Sequence, residues 1–167
     1  MGKDGGQAAW CEEVRRVYPH RVSISAPMWR SFFGEAVREI GILTDDGRFL
    51  ANDSVLLRLL AERASAGVRV RIMVVSPTGW EALAQADGVQ LGVHQAVLGN
   101  AVYRSDDQLL VHQYIHGVPA PAAPVLHLRK AGNGDLHRSY LEGFERVWLE
   151  CVPATDREEV TFRQRGG

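Results

Sequence analysis

The chain has 167 residues, 46% hydrophobic and 23% charged, and a formal net charge of −1. That is the make-up of one ordinary globular domain with a real core, and it argues against whole-surface attraction to nucleic acid or to an anionic membrane. No run reaches the length of a membrane span and the polar opening has no secretory pattern, so a soluble cytoplasmic protein is expected. Cys11 and Cys151 lack C-x-x-C or metal-ligand spacing and read as free thiols, with a disulfide between them as the alternative.

In chain order, residues 1–9 are Gly-rich and polar and read as a disordered tail, residues 10–152 as a single domain, and residues 153–167 as a charged tail. Residues 11–17 have the spacing of a helical turn, broken by Pro19. Residues 22–25 read as extended. Pro27 opens a helix over about 28–40, with Trp29, Phe32, Phe33, Ala36, Val37 and Ile40 at helical intervals. Residues 40–44 are a buried strand ended by Asp45-Asp46-Gly47. Asn52-Asp53-Ser54 caps a second helix, which carries Leu56, Leu57, Leu59, Leu60 and Ala64 and stops at Gly67. Residues 68–75 form the clearest strand, 80–86 a short helix, and 89–93 a strand leading to His94. After a hairpin and a short Pro-rich connection, residues 124–129 are a strand. Residues 136–151 are an amphipathic helix with Tyr140, Leu141, Phe144, Val147 and Trp148 on one face. The alternation predicts an α/β domain, a mixed sheet flanked by helices on both faces.

The hairpin is where chemistry concentrates. Strand-forming residues 101–104 and 109–115 flank Ser105-Asp106-Asp107, and the stretch gathers Asn100, Tyr103, Asp107, His112, Tyr114 and His116. His112 and His116 share a strand face at i, i+4. Holding a metal would need a third ligand such as His94 or Asp107, and local hydrogen bonding on a half-buried face outweighs that reading; no metal or cofactor is expected. Asp106-Asp107 is most simply a turn whose side chains cap backbone donors. Asp45-Asp46-Gly47-Arg48 follows a buried strand, where α/β sheets place ligand loops, and reads equally as a solvated turn. Arg69 and Arg71 alternate along a strand, as a wet face or as partners of carboxylates. No Gly-rich phosphate loop, G-x-S-x-G or H-E-x-x-H occurs.

The order helix, strand, helix, strand, hairpin, strand, helix is similar to one half of a phospholipase D-like fold. Residues 35–40 with the strand after them, residues 59–72 through Gly67, and Phe144-Glu145-Arg146-Val147-Trp148 resemble that family's first helix, second helix with its Gly stop, and closing helix. More narrowly, Val17-Tyr18-Pro19-His20-Arg21 and residues 100–107, 123–129 and 144–148 resemble a module of actinobacterial transcription regulators. There it follows a Cro/repressor-type helix-turn-helix, and this chain is expected to carry the module without it. The resemblance implies a pocket and the motif H-x-K-x-x-x-x-D, in which His attacks phosphorus, Lys holds the phosphate and Asp orients. In the register that keeps Asp107, Asn100 stands at the His position and Val102 at the Lys position. The only lysines are Lys3 and Lys130, so no H-x-K exists. His127, Arg129, Lys130 and Asp135 are a near miss with the wrong facing and spacing. The departures remove the family's activity and leave its fold and pocket.

Three expectations follow. The first is a non-catalytic small-molecule sensing domain with a regulatory role, whose contacts are Asp46, His94, Asn100, Tyr103, Asp107, His112 and Tyr114. The second is an enzyme of altered hydrolase or transferase chemistry using His112, His94 or His127 near Asp107. The third is a structural dimerisation domain. Because phospholipase D-like halves pair, a single copy implies a homodimer, with an unidentified small-molecule ligand, no direct nucleic-acid contact and no membrane partner.

Overall fold

The computed structural model describes residues 11–155. Eight strands make one mixed sheet: β1 (Val14–Tyr18), β2 (Glu39–Leu43), β3 (Arg69–Val74), β4 (Val89–Val93), β5 (Asn100–Ser105), β6 (Gln108–Gln113), β7 (Val125–Arg129) and β8 (Val152–Pro153). Their spatial order is β1-β7-β6-β5-β2-β3-β4-β8. β2, β3 and β4 run parallel, and every other neighbouring pair is antiparallel. Parallel neighbours need crossovers: α1 (Ala26–Gly34) precedes β2, α2 (Arg48–Ala51) and α3 (Ser54–Ser65) join β2 to β3, and α4 (Glu81–Ala84) joins β3 to β4. α1 to α4 pack on one face and α5 (Asp135–Glu150) on the other, which is the expected mixed sheet with helices on both sides.

Strand alternation divides the core in two. Ile40, Ile42, Val70, Ile72, Val74, Tyr103 and Leu110 point toward α1–α4, while Leu43, Met73, Val102, Leu109, Val111 and Leu128 point toward Phe144 of α5. Gly41 is the contact point of the second layer. A Cβ there would sit 2.6 Å from the Phe144 ring, so the absence of a side chain lets α5 lie directly on β2. α3 begins where the sequence places it, because the Asp53 carboxylate accepts from the Val55 and Leu56 N–H groups.

Four expected elements differ. Residues 14–18 are strand β1, not helix: they pair with β7, with a bulge between Val14 and Arg16, and that long-range ladder overrides the local spacing. Residues Arg21–Ser23 form a 3-10 turn rather than an extended segment. α1 ends at Gly34, six residues short of the expected limit. The Val37, Arg38 and Glu39 N–H groups donate to the Asp106 carboxylate at 2.9, 2.9 and 2.8 Å instead of continuing the helix. β6 ends at Gln113, so His116 falls in the following turn and does not share a strand face with His112. Pro153 lies in β8, so the tail expected from 153 begins inside the sheet; its part beyond 155, like the tail expected over 1–9, lies outside the described residues.

Both cysteines are free thiols; Cys11 is exposed and Cys151 half-buried. The Glu13 carboxylate accepts from the Leu136 and His137 N–H groups at 3.0 Å each, capping α5 from the far end of the chain. A Cβ at Gly134 would collide with that carboxylate. Among the described residues, no helix is long and apolar enough to cross a membrane.

Candidate functional site

A crevice of about 560 Å³ opens beyond the carboxyl end of β2, where α/β sheets place ligands. Thr44, Asp45 and Asp46 leave β2 and form one side. His112, Gln113 and Tyr114, at the end of β6, form the other. Tyr103 of β5 lies beneath, and Arg21 and Phe49 close one end. A second cleft of about 640 Å³ lies on the other side of the same Arg21 and Phe49, toward Trp29 and Asp53.

Packing fixes these groups. The Tyr103 ring is wholly buried, edge-on to Trp29 at 4.9 Å and to Phe49 at 6.0 Å between centroids. The Arg21 guanidinium lies over the Phe49 ring at 3.7 Å, and among the described residues no carboxylate comes within ion-pair distance of it. His112 is buried and its Nε2–H donates to the Ala120 carbonyl at 2.8 Å, which leaves Nδ1 as an acceptor. Thr44 Oγ1 and Tyr114 Oη stand 3.4 Å apart. The Asp46 carboxylate accepts from the Arg48 N–H at 3.0 Å and faces the Arg48 side chain at 3.6 Å.

Three polar atoms of the crevice are buried without a hydrogen-bond partner among the described residues: Arg21 Nε, Tyr103 Oη and Gln113 Nε2. Buried polar groups are ordinarily paired, so three orphans on one cavity are a signal. Burial lifts the Tyr103 and Tyr114 hydroxyls above their ordinary range, against the opposing pull of the neighbouring Thr44 hydroxyl on both. Burial lowers His112, and the Arg21 charge adds to that against the opposing Ala120 bond, so the ring is held neutral. Burial raises the Asp45 carboxyl.

Of the contacts expected from sequence, Asp46, Tyr103, His112 and Tyr114 line this crevice together. Asn100, His94 and Asp107 do not. Asn100 opens β5 opposite Gln113. His94 is buried behind the crevice wall, its Nε2–H donating to the Thr44 carbonyl at 2.9 Å, and it lines a separate small cavity. Asp107 is at the hairpin tip, paired with Arg38 at 3.0 Å. His127 of β7 bonds Gln108 at 2.8 Å. The four residues of the enzymatic expectation, His112, His94, His127 and Asp107, are thus not brought to one cavity. Among the described residues no three or more His, Cys, Asp or Glu are grouped to hold a metal. Sequence reasoning missed Arg21, Thr44, Phe49 and Gln113. Arg21 lay within the quoted Tyr18-Pro19-His20-Arg21 and Gln113 within the hairpin, but neither carries a chemical signal alone.

The hairpin also locates the H-x-K-x-x-x-x-D register. Asn100 and Asp107 stand at opposite ends of it, and Asp106, not Asp107, is the carboxylate that binds the backbone of residues 37–39. A register ending at Asp106 puts Gly99 and Ala101 at the His and Lys positions. Either way the nucleophile and the phosphate-binding cation are missing.

No protein-family model and no curated protein matches the sequence. Two solved structures are similar. TrmBL2, described as an archaeal chromatin protein with a novel mode of DNA binding, has a TM-score of 0.61 at 16% identity over 82% of this chain. The chain spans 54%, about half, of TrmBL2. Nuc from Salmonella typhimurium, described as a phospholipase D family member, has a TM-score of 0.57 at 15% identity, over 83% of this chain and 97% of Nuc. At these identities the likeness is one of fold, and this chain has a phospholipase D-like α/β fold.

Proposed function

We propose that this chain is a non-catalytic, small-molecule-binding regulatory domain on a degenerate phospholipase D-like fold. The observation that carries the reading is a contrast within the hairpin. The catalytic His and Lys positions hold Asn100 and Val102, or Gly99 and Ala101, while the crevice beside them keeps three buried polar atoms without partners. A site kept polar at such a desolvation cost without the motif's nucleophile is suited to binding rather than turnover.

The regulatory part draws on the resemblance to modules of transcription regulators and on TrmBL2 as a neighbour. TrmBL2 itself is described as DNA-binding, which weighs against the expectation that this chain makes no direct contact with nucleic acid. In this reading it works in the cytoplasm as a homodimer, since phospholipase D-like halves pair, and ligand binding shifts that dimer between two states.

The test is a paired assay on the full chain. With a chromogenic phosphodiester, release above background is expected to be absent. In the same preparation, an NMR fragment screen is expected to move resonances of residues 44–46, 103 and 112–114, and light scattering to give twice the chain mass. Phosphodiester turnover would overturn the non-catalytic reading, and a silent screen the binding reading. A retarded duplex DNA band would overturn the absence of nucleic-acid contact.

A further inference from the structure

We propose that the crevice takes a small organic monocarboxylate, its carboxylate held by Arg21, Tyr103 and Gln113 and its body set against Phe49, Ile115 and Val118. The proposal rests on the ligand-binding reading above and names the ligand's class.

Each of the three orphaned atoms is, or carries, a hydrogen-bond donor: the Arg21 Nε–H, the Tyr103 O–H and the Gln113 amide N–H. Tyr103 stays protonated, since its burial opposes the phenolate. Three donors with no acceptor call for an acceptor from outside, and the guanidinium makes an anion the best one. Arg21, with one face of its plane against Phe49, is among the residues that line the cavity, and its guanidinium carries a planar N–H fork. That fork matches a planar two-oxygen group. His112 is held neutral and adds no positive charge. Asp45 and Asp46 on the opposite wall supply two carboxylates, which favours a monoanion over a dianion such as a phosphate monoester. The cavity of about 560 Å³ is far larger than a carboxylate and of the size that holds small molecules. Its apolar side chains at Phe49, Ile115 and Val118 therefore call for a carbon body on the acid.

The experiment titrates the full chain with phenylacetate, methyl phenylacetate and phenyl phosphate, following the Arg21 Nε–H and Gln113 side-chain cross-peaks by ¹H–¹⁵N NMR. The acid is expected to shift both peaks saturably, with the ester and the phosphate at least roughly tenfold weaker. Arg21→Gln is expected to weaken phenylacetate by about tenfold and Tyr103→Phe by about threefold. Equal affinity for acid and ester, or undiminished binding in Arg21→Gln, overturns the carboxylate while the crevice remains a ligand site. Silence with all three probes and with the fragment panel overturns both. Should Arg21→Gln fail to fold, the comparison of acid with ester on the wild-type chain and the Tyr103→Phe titration decide the matter.

Discussion

Two buried polar clusters lie on opposite faces of the same sheet, and they are built differently. Under α5, Arg71 is 1% exposed and meets two carboxylates: it donates to Glu145 at 2.6 and 2.7 Å and to Glu39. Arg104 joins the same pair, 3.0 Å from Glu39 and 3.6 Å from Glu145. The Phe144 and Trp148 rings lie 5.1 and 5.3 Å from the Arg71 guanidinium. Apart from Arg71 Nε, its charges answer one another. On the other face, the crevice has Arg21, Tyr103 and Gln113 with three donors and no acceptor. In the first cluster every carboxylate faces a cation and the pairs hold α5 to the sheet; in the second, donors lack an acceptor, which is what the proposed ligand would supply.

The largest expected effect tests the complete cluster. Arg71→Met removes its central cation and leaves the largely buried Glu39 and the part-exposed Glu145 to Arg104 alone, which is expected to destabilise the fold by about 2–3 kcal/mol in urea denaturation. A loss under about 1 kcal/mol would mean the network contributes little, and the contrast would lose one side.

An intermediate effect is expected at Glu13, which caps α5. Burial pushes its carboxyl up, but the His137 and Leu136 N–H groups, with help from Cys11 and the His137 charge, hold it below the ordinary carboxylate range. A depressed carboxyl stabilises the fold above its unfolded pKa, and that stabilisation is lost as pH falls through the folded value. Glu13→Ala is expected to cost about 1–2 kcal/mol at neutral pH. Glu13→Gln should flatten the acid limb of stability between roughly pH 5 and the folded value. An unchanged acid limb in that variant would show that Asp106, depressed by three backbone N–H groups against its own burial, carries the limb instead.

The smallest effect tests the incomplete cluster. Tyr103→Phe removes a wholly buried hydroxyl that has no well-formed hydrogen bond among the described residues and the Thr44 hydroxyl as a near polar neighbour, so stability is expected to stay level or to change by less than about 1 kcal/mol. A loss above about 2 kcal/mol would mean that the hydroxyl has a partner in the folded chain, and the crevice would no longer differ in kind from the cluster beneath α5.

Much of the fold was legible because its signals are local. β4 falls on the expected residues, and β3, β7, α3 and α5 within about two residues at each end. Each pairs an apolar pattern with a cap, a glycine or a turn. The misreadings arise where a distant group intervenes. β1 is a strand because β7 offers it a ladder, and α1 stops early because Asp106, about seventy residues on, takes the backbone donors a helix would use. The site follows the same division. Tyr103, His112 and Tyr114 were legible as ring residues in and beside a hairpin. Arg21 and Phe49 were not, because nothing near them in sequence announces that one stacks on the other.

The pairing of β1 with β7 also orders events during synthesis. Tyr18 leaves the ribosome about a hundred residues before Val125, its partner, and Glu13 waits longer still for the helix it caps. At cellular elongation rates of about 5–20 residues per second, the first strand spends on the order of ten seconds without its neighbour. Over that interval Arg15, within its bulge, and Arg16, beside it, put charge on the unpaired edge, a safeguard against joining the wrong strand. Arg21, three residues past β1, gives its backbone N–H to the Ala123 carbonyl at 2.8 Å, so that wall of the crevice also waits for residues about a hundred positions on.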